Sequence, residues 1–178
     1  MQIPSPSPWI TRFAPLFSAN GQVLDVACGS GRHARYLHSL GMQVTGVDRD
    51  SIAIAALRKS LPGTWVEADI ENGPWPFAGQ QFDAVVATNY LWRPLLPQIL
   101  ASVAPGGLLL YETFADGNAA FGKPSRPDFL LHAGELLQVC SGWHIMAYEH
   151  GKLTQPDRIV QRIAARNSTT PALHYHTP

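Results

Sequence analysis

The stretch from residue 23 to residue 40, VLDVACGSGRHARYLHSL, constrains the fold of this chain more than any other. It opens with three apolar residues and one acid, Asp25, as expected of a strand covered on both faces with a polar side chain near its end. Gly29 and Gly31 follow in a turn where no Cβ keeps a ligand from the backbone. Apolar residues then recur at helical spacing up to Gly41, so the free amides at the helix start face the turn. This unit predicts a binding site for a nucleotide-like ligand with an anionic group.

The rest of the chain alternates predicted strands with predicted helices. Further strands are expected at residues 43–48, 64–68, 82–87 and 108–114, with helices starting near 51 and covering 93–101 and 130–139. Two closing strands, at 143–149 and 159–165, are joined by a turn too short for a crossover helix, so we expect them to pair antiparallel. The predicted fold class is α/β: a Rossmann-like, doubly wound, mostly parallel seven-stranded sheet with one antiparallel strand near the C-terminus, in three αβα layers.

Length and charge limit the domain count and the partners. The chain has 178 residues, which suits one domain, and its 13 Lys and Arg balance its 13 Asp and Glu. A neutral protein has no overall field to gather nucleic acid or an anionic membrane surface, so we expect neither as a partner. We expect an N-terminal arm and capping helix over residues 1–20, the main domain over 21–166 and a flexible tail over 167–178.

The cysteines and histidines give no strong metal signal. Cys28 and Cys140 lie far apart, which suits reduced thiols in the cytosol. We find no signal segment and no apolar span of about 20 residues, so the prediction is a cytoplasmic protein without a membrane partner. His174 and His176 are a possible metal pair, but we favour a disordered tail there and expect no metal. The sequence leaves the oligomeric state open.

Two kinds of nucleotide cofactor fit the glycine turn. Residues 29–34 also satisfy the dinucleotide pattern G-x-G-x-x-G/A, and Asp48 lies near the position of a ribose-binding acid. Asp25, however, would repel a pyrophosphate and would stabilise an ammonium group. A third acid, Asp69, is followed by apolar Ile70, which suits an adenine amine beside an adenine ring. These acids argue against a nicotinamide or flavin dinucleotide as the ligand.

With these residues in place, the chain resembles a class I S-adenosylmethionine-dependent methyltransferase over about residues 20 to 165. VLDVACGSG is similar to the family's acid-x-Gly-x-Gly-x-Gly, with Ala27 in place of the first glycine. Asp48 in VTGVDRD, the pair Asp69 and Ile70, and the turn at residues 105–107 stand in the family's order. More narrowly, YLWRPLL, PGGLLLYETFADGN, FGKPSRPDFLL and GELL resemble small bacterial methyltransferases of the tellurite-resistance and thiopurine type.

The resemblance implies S-adenosylmethionine as the cofactor, with S-adenosylhomocysteine as its product. The residues implied to bind it are Asp25, Ala27, Cys28, Gly29, Ser30, Gly31, Asp48, Arg49, Asp69, Ile70 and Asn89. Asp48 would hold the ribose hydroxyls, and Asp69 with Ile70 would hold the adenine. Cys28 has a second interpretation as a reactive thiol, because a helix N-terminus lowers a thiol pKa; we favour a backbone contact.

The methyl acceptor is expected to be a small molecule, with a soft nucleophile such as a thiol or a tellurite-like or selenite-like oxyanion as one class. The substrate-positioning candidates are Tyr90, Arg93, His150 and Arg158, with Trp92 and Phe114 as walls and the loop at 115–128 as a cover. For Arg93, His150 and Arg158, the alternative interpretation is an ordinary surface charge. The sequence TNYL at residues 88–91 departs from the Asn/Asp-Pro-Pro-Tyr/Phe motif of enzymes that methylate amino nitrogens, which disfavours that reaction.

Two other functions remain open from the sequence. The chain is alternatively a non-catalytic module that binds S-adenosylmethionine, because binding residues alone do not prove turnover. A nicotinamide-dependent oxidoreductase is a further alternative, because the glycine pattern suits both cofactors.

Overall fold

The computed structural model describes residues 4–168, which form a seven-stranded sheet with helices on both faces. The helices are α1 (Pro8–Phe13), α2 (Arg32–Ser39), α3 (Ser51–Ser60), α4 (Leu96–Ala101) and α5 (Glu135–Val139). The strands are β1 (Gln22–Val26), β2 (Gln43–Asp48), β3 (Thr64–Glu67), β4 (Phe82–Thr88), β5 (Val103–Phe114), β6 (His144–Leu153) and β7 (Arg158–Arg166).

The strand order confirms the predicted fold. The order across the sheet is β3-β2-β1-β4-β5-β7-β6; the first five strands are parallel, and β7 runs antiparallel to both of its neighbours. The chain winds outward from β1 in one direction and from β4 in the other. Ligands of such sheets bind where the order reverses, beyond the carboxyl ends of the strands.

Apolar side chains pack in one layer on each face of the sheet. One cluster joins α1, α2 and α3 to the sheet through Trp9, Leu37 and Ile54. The other joins α4 and α5 to the opposite face through Ile99 and Leu136. Each layer holds one set of helices against the strands, which fixes the strand ends that form the site.

The N-terminal segment is packed into the domain. Trp9 is 1% exposed, and its indole N–H donates to the carbonyl of Ile163 in β7 at 3.1 Å. Phe13 is fully buried in the same layer. The hydroxyl of Ser7 accepts from the Trp9 amide at 3.1 Å and so caps α1. The predicted capping helix is therefore part of the core.

The structure differs from the predicted elements after residue 129. A helix was expected over residues 130–139, but α5 begins only at Glu135, because Gly134 has a left-handed φ of +73° and Leu131 pairs with Ala115. Asn167, the first residue of the predicted tail, donates its amide to the Gly107 carbonyl at 2.9 Å. The remaining tail residues from 169 onward lie outside the described residues.

Residues 4–168 contain neither a membrane-spanning helix nor a cluster of metal-binding side chains. None of the helices there combines the length and the apolar character that a membrane crossing requires. Within the same residues, His, Cys, Asp and Glu side chains form no group of three or more suited to a metal ion. His174 and His176 lie outside the described part of the chain.

Candidate functional site

The glycine turn after β1 is a run of left-handed backbone conformations. Ala27 has a φ of +53°, Gly29 has +53° and Gly31 has +78°. The Cys28 amide donates to the Val47 carbonyl at 3.0 Å, which ties the turn to β2. A Cβ at Gly29 would meet no atom within 4 Å, whereas one at Gly31 would lie 2.5 Å from a Leu57 methyl carbon. Gly29 therefore leaves the turn open toward the site, and Gly31 permits close packing of α2 on α3.

Ala27 stands where the family has glycine, and its positive φ carries strain because its Cβ crowds the backbone. Replacing Ala27 with Gly should raise the free energy of unfolding by about 0.5 to 1 kcal/mol, the relief of strain less the added entropy of the unfolded chain. The urea midpoint should rise with an unchanged m-value. Ala55→Gly, on an exposed helical position of α3, is the control and should lower the midpoint. A lower midpoint for Ala27→Gly would contradict the strain.

Asp25 lies beneath this turn at the end of β1. It is 1% exposed, and its Oδ2 is buried without a hydrogen-bond partner in the described structure. Burial raises the pKa of Asp25 to about 7, while Arg32 acts to lower it and Asp48 to raise it. The structure thus places a carboxyl with an unused oxygen under the glycine turn, although the side chain does not line the adjoining cleft.

The carboxylate of Asp48 supports two turns at once. Its Oδ2 accepts from the Gly29 amide at 2.8 Å, and its Oδ1 accepts from the Asp50 amide at 2.9 Å. Each oxygen keeps a second lone pair. Asp48 therefore fixes the glycine turn against the end of β2 and still has accepting capacity for a ligand.

Asp69 organises the turn after β3. Its Oδ1 accepts from the amides of Glu71 and Asn72 at 3.0 and 3.2 Å, and its Oδ2 accepts from the Asn72 side chain at 2.8 Å. The hydrogen bond from the Asn72 side chain, with those from the two amides, lowers the pKa of Asp69. Its carboxylate is therefore ionised near neutral pH.

A cleft at the carboxyl ends of β1, β2, β3 and β4 brings together five of the eleven predicted cofactor residues. It is lined by Ala27, Asp48, Arg49, Ala68, Asp69, Ile70, Glu71 and Tyr90. Six of these were predicted site residues; Ala68 and Glu71 were not. Asn89 lines the next cavity, and Ser30 is exposed. The cleft is the candidate cofactor site.

The Cys28 side chain points away from the cleft, into the layer of α2 and α3. It is 7% exposed, and a Cβ on Gly46 would lie 2.9 Å from its sulfur. Burial raises the pKa of the Cys28 thiol, with Asp25 and Asp48 adding to the rise. These features favour the backbone contact over the reactive thiol.

A larger cavity of about 550 Å³ is linked to the cleft through a third cavity, which shares Glu71 and Tyr90 with the cleft and Asn89 and Phe114 with the larger cavity. Residues 5–8 of the N-terminal arm form one wall, and residues 155–158, which end at the first residue of β7, form another. Its other lining residues are Arg32, Asn89, Glu112, Phe114, Asn118, Phe121 and Lys123. Three of them come from the loop at 115–128, which was predicted to cover the acceptor. This cavity is the candidate acceptor site.

Ser7 connects the N-terminal arm to α2 and β5 by hydrogen bonds. Its amide donates to His33 Nε2 at 3.1 Å, and its hydroxyl donates to the buried Glu112 carboxylate at 3.0 Å. His33 Nδ1 then donates to the Thr88 hydroxyl at 3.2 Å. Burial lowers the pKa of His33 to about 3, with Arg32 adding to the effect, so the ring stays neutral. The arm is thereby held as a wall of the acceptor cavity.

Two of the four predicted positioning residues do not reach this region. Arg93 Nε donates to Glu135 at 2.7 Å, and its terminal nitrogens donate to the carbonyls of Asp128 and Leu130 at 2.9 and 2.7 Å. It therefore ties α5 and the preceding loop to the segment after β4. His150 lies on the exposed β6, opposite Gln161 of β7, beside a separate groove. Neither residue lines the candidate acceptor cavity, because long-range packing holds both side chains elsewhere.

Arg158 and Tyr90 do line the predicted region. Arg158 lies on the wall of the acceptor cavity. Tyr90 lines the cofactor cleft and a third cavity, which it shares with Glu71, Asn89 and Phe114. Burial raises the pKa of Tyr90, and its hydroxyl has no hydrogen-bond partner among the described residues. Tyr90 is thus a neutral phenol between cofactor cleft and acceptor side.

Several residues of the site were not predicted from the sequence. Ser7, Arg32, Lys123 and Glu71 line its cavities, and His33 anchors the arm. The local sequence gave no signal for Ser7, because its partners lie 26 and 105 residues away. Arg32 was the one with a usable signal, since it opens the helix that follows the glycine turn.

This sheet order, with a glycine turn after β1 and acids after β2 and β3, defines the class I S-adenosylmethionine-dependent methyltransferase fold and confirms the resemblance seen in the sequence. Residues 23–107 match the family model described as a methyltransferase domain. The matched segment runs from β1 to the turn within β5 and contains the whole cofactor cleft.

Known proteins similar to this chain include curated enzymes and solved structures. A malonyl-[acyl-carrier protein] O-methyltransferase of Pectobacterium atrosepticum is 33% identical over 103 residues, which are 54% of this chain and 40% of that protein. The structure of TehB from Haemophilus influenzae has a TM-score of 0.69 at 24% identity, over 88% of this chain and 60% of that chain. A SAM-dependent methyltransferase of Methanosarcina mazei has a TM-score of 0.69 at 16% identity, over 94% and 100%. The chain thus spans about 40% of the curated relative's length.

Proposed function

We propose that the protein is an S-adenosylmethionine-dependent methyltransferase that acts on a small molecule. The main support is the cleft, where Ala27, Asp48, Asp69 and Ile70 meet at the point at which the strand order reverses. These are the residues on which the family places the nucleoside, and they meet although they come from three separate strand ends. A second cavity beside the cleft leaves room for an acceptor.

The residues present fit this cofactor. The unpartnered Oδ2 of Asp25 lies under the glycine turn and suits the ammonium of a methionine group. The turn leads into the first amides of α2, which suit its carboxylate. Asp48 keeps free lone pairs for ribose hydroxyls, and Ile70 offers an apolar surface to the adenine ring.

When bound, S-adenosylmethionine supplies an electrophilic methyl group on a sulfonium. The protein contributes alignment and exclusion of water. Tyr90 forms a wall as a neutral phenol, and the arm at residues 5–8 closes the opposite side.

We further propose a soft nucleophile as acceptor, a thiol or a tellurite-like or selenite-like oxyanion. Such a nucleophile is already ionised or nearly so, which suits a cavity lined by cations. The two acids of this cavity are both engaged: Glu112 accepts from Ser7, and Asp157 lies 2.6 Å from Lys152.

Formation of S-adenosylhomocysteine tests turnover directly. The full chain is incubated with S-adenosylmethionine and a panel of thiols, oxyanions, phenols and amines, and the product is quantified by mass spectrometry. We expect thiols or oxyanions to raise S-adenosylhomocysteine above the acceptor-free rate. Binding of the cofactor without product from any acceptor would instead support a non-catalytic binding module.

Asp48→Ala should weaken S-adenosylhomocysteine binding by about 1.5 to 3 kcal/mol, the scale of a lost charged hydrogen bond, because it removes the ribose acceptor and loosens the turn at Gly29. Calorimetry measures the loss. Asp50→Ala is the matched control, because Asp50 caps α3 through the Ile52 and Ala53 amides and does not line the cleft. It should lower stability by about 1 kcal/mol and leave binding unchanged. Equal affinities of Asp48→Ala and wild type would show that Asp48 does not hold the ribose.

A further inference from the structure

The acceptor cavity is much larger than an inorganic oxyanion. Its volume of about 550 Å³ falls in the range of about 300 to 1,000 Å³ that is usual for organic ligands. An oxyanion with one central atom takes the place of a few water molecules, on the order of 100 Å³. The walls also offer apolar area, with Phe114 at the end of β5 and Phe121 in the loop. An organic molecule fills this space better than a bare oxyanion.

The cavity also carries an excess of positive charge. Arg32, Lys123 and Arg158 line it, together with two acids, Glu112 and Asp157. Both acids are already paired with cations that do not line the cavity. Glu112 lies 3.5 Å from Arg162 Nη1, and Asp157 lies 2.6 Å from Lys152 Nζ.

The three cations that line the cavity, Arg32, Lys123 and Arg158, are not paired with acids in this way. None of them forms an ion pair within 4.0 Å in the part of the chain that the structure describes. Arg158 makes one hydrogen bond, from Nη1 to the Pro156 carbonyl at 3.3 Å, which leaves most of its donors free. Glu71, the acid near the acceptor side, lines the neighbouring cavity and not this one. Unpaired cations in a concave site bind anions.

We infer that the methyl acceptor is an organic molecule with an anionic group, a carboxylate, sulfonate or phosphate, held by Arg158 and Lys123, and with an apolar body against Phe114 and Phe121. This inference rests on the proposed methyltransferase function and narrows its substrate class. The anionic group is a handle and is separate from the atom that receives the methyl group. The position of Phe121 is supported by Lys152, whose ammonium lies 4.9 Å from the ring centroid while it pairs with Asp157.

The reaction of such an acceptor balances without a further reagent. A thiol of the molecule loses its proton to solvent before transfer, and the thiolate lone pair forms the bond to the methyl carbon. The carbon–sulfur bond of the sulfonium breaks with its electrons kept on that sulfur. The anionic handle is unchanged, so the product still carries it.

A matched pair of probes tests the handle without relying on turnover. The S-methylated products para-(methylthio)benzoate and para-(methylthio)toluene have the same ring and sulfur and differ in the charged group. Each is titrated into the complex of the full chain with S-adenosylhomocysteine, and affinity is measured by ligand-observed NMR. We expect the carboxylate to bind at least about tenfold more tightly than the neutral compound.

Variants then locate the handle's partners. Arg158→Gln and Lys123→Gln should each weaken para-(methylthio)benzoate about ten- to a hundredfold and leave the neutral compound unchanged. Arg126→Gln is the control, because Arg126 is an exposed cation of the same loop, paired with Asp128, and does not line the cavity. Unchanged urea midpoints and S-adenosylhomocysteine affinities show that the variants are folded.

The outcomes separate the inference from the proposed function. If the wild-type chain does not bind S-adenosylhomocysteine, the proposed function is overturned. Binding of S-adenosylhomocysteine with equal affinity for the charged and neutral probes, or an unchanged carboxylate affinity in both variants, would overturn the inference alone. The same holds if the complex binds neither probe, or if tellurite is methylated and para-mercaptobenzoate is not.

Discussion

Asp25→Asn is expected to stabilise the ligand-free protein near neutral pH and to weaken S-adenosylhomocysteine binding at the same time. Burial raises the pKa of the Asp25 carboxyl from its ordinary value of 3.8 to about 7 in the folded chain. A raised acid pKa means that, between these two pH values, the folded state holds a proton that the unfolded state has lost. Stability therefore falls as the pH rises through this window, and the loss is complete above about pH 7.

The expected change in the free energy of unfolding follows from the raised pKa of Asp25. A rise of the Asp25 pKa from 3.8 to about 7 lowers the free energy of unfolding by on the order of 4 kcal/mol at alkaline pH. The asparagine amide would carry its own unsatisfied donors, at about 1 to 3 kcal/mol, so we expect a net gain of about 1 to 3 kcal/mol at pH 8. Urea unfolding at pH 8 measures it. At pH 4 the carboxyl is protonated in the native protein, and the difference between variant and wild type should shrink. If Asp25→Asn is less stable than the wild type at pH 8, burial of the ionised Asp25 carboxylate does not destabilise the fold as expected.

Binding is expected to change in the opposite direction. An ammonium at the turn favours ionised Asp25, so the wild type should bind S-adenosylhomocysteine more weakly as the pH falls below about 7. Asp25→Asn should bind about ten- to a hundredfold more weakly at pH 8 and lose this pH dependence. Calorimetry in buffers of different ionisation enthalpy should show proton release on binding at pH 6 for the wild type only. Identical proton release by the wild type and Asp25→Asn would show that the released proton does not come from Asp25.

Two alanine substitutions in one turn should separate folding from binding. Gly31→Ala should lower the free energy of unfolding by about 2 to 4 kcal/mol, because φ is +78° and the new Cβ would lie 2.5 Å from Leu57 Cδ2. Gly29→Ala meets no atom within 4 Å, so only its φ of +53° is unfavourable, at about 1 kcal/mol. Its Cβ projects into open space at the turn, however, and should weaken S-adenosylhomocysteine binding at least tenfold.

Urea unfolding and calorimetry on the two variants check this separation. The double variant Gly31→Ala with Leu57→Ala should be less destabilised than the sum of the two single changes, because removing the leucine end relieves the clash. If the losses in free energy of unfolding of the two single variants add strictly, a clash with Leu57 is not what destabilises Gly31→Ala. Unchanged binding by a folded Gly29→Ala would show that the cofactor does not approach the backbone there.

The cofactor cleft was predictable from the sequence because its determinants are local. Asp48 and Asp69 each follow a strand, and carboxyl ends of parallel strands share one edge of a sheet. Knowing the strands and their direction was enough to place both acids together. The closing hairpin was equally accessible, since a short connection between strands forces antiparallel pairing.

The acceptor side depended on contacts that no local pattern contains. Arg93 looked like a free cation after β4, yet its donors are taken up by Glu135 and by carbonyls from 35 and 37 residues away. The apolar residues at helical spacing after Gly31 include Leu40, which is 40% exposed, but this pattern gives no weight to His33, which is 2% exposed and anchors the arm. Tertiary packing of a distant segment decided each of these cases.

Calorimetric titration of the full chain with S-adenosylhomocysteine, and in parallel with NADPH, tests the central claim most directly. A cleft built from Asp48, Asp69 and Ile70 above the acid Asp25 should bind S-adenosylhomocysteine with one site per chain and should not bind NADPH measurably. Binding of NADPH with no binding of S-adenosylhomocysteine would contradict the account and restore the nicotinamide-dependent alternative.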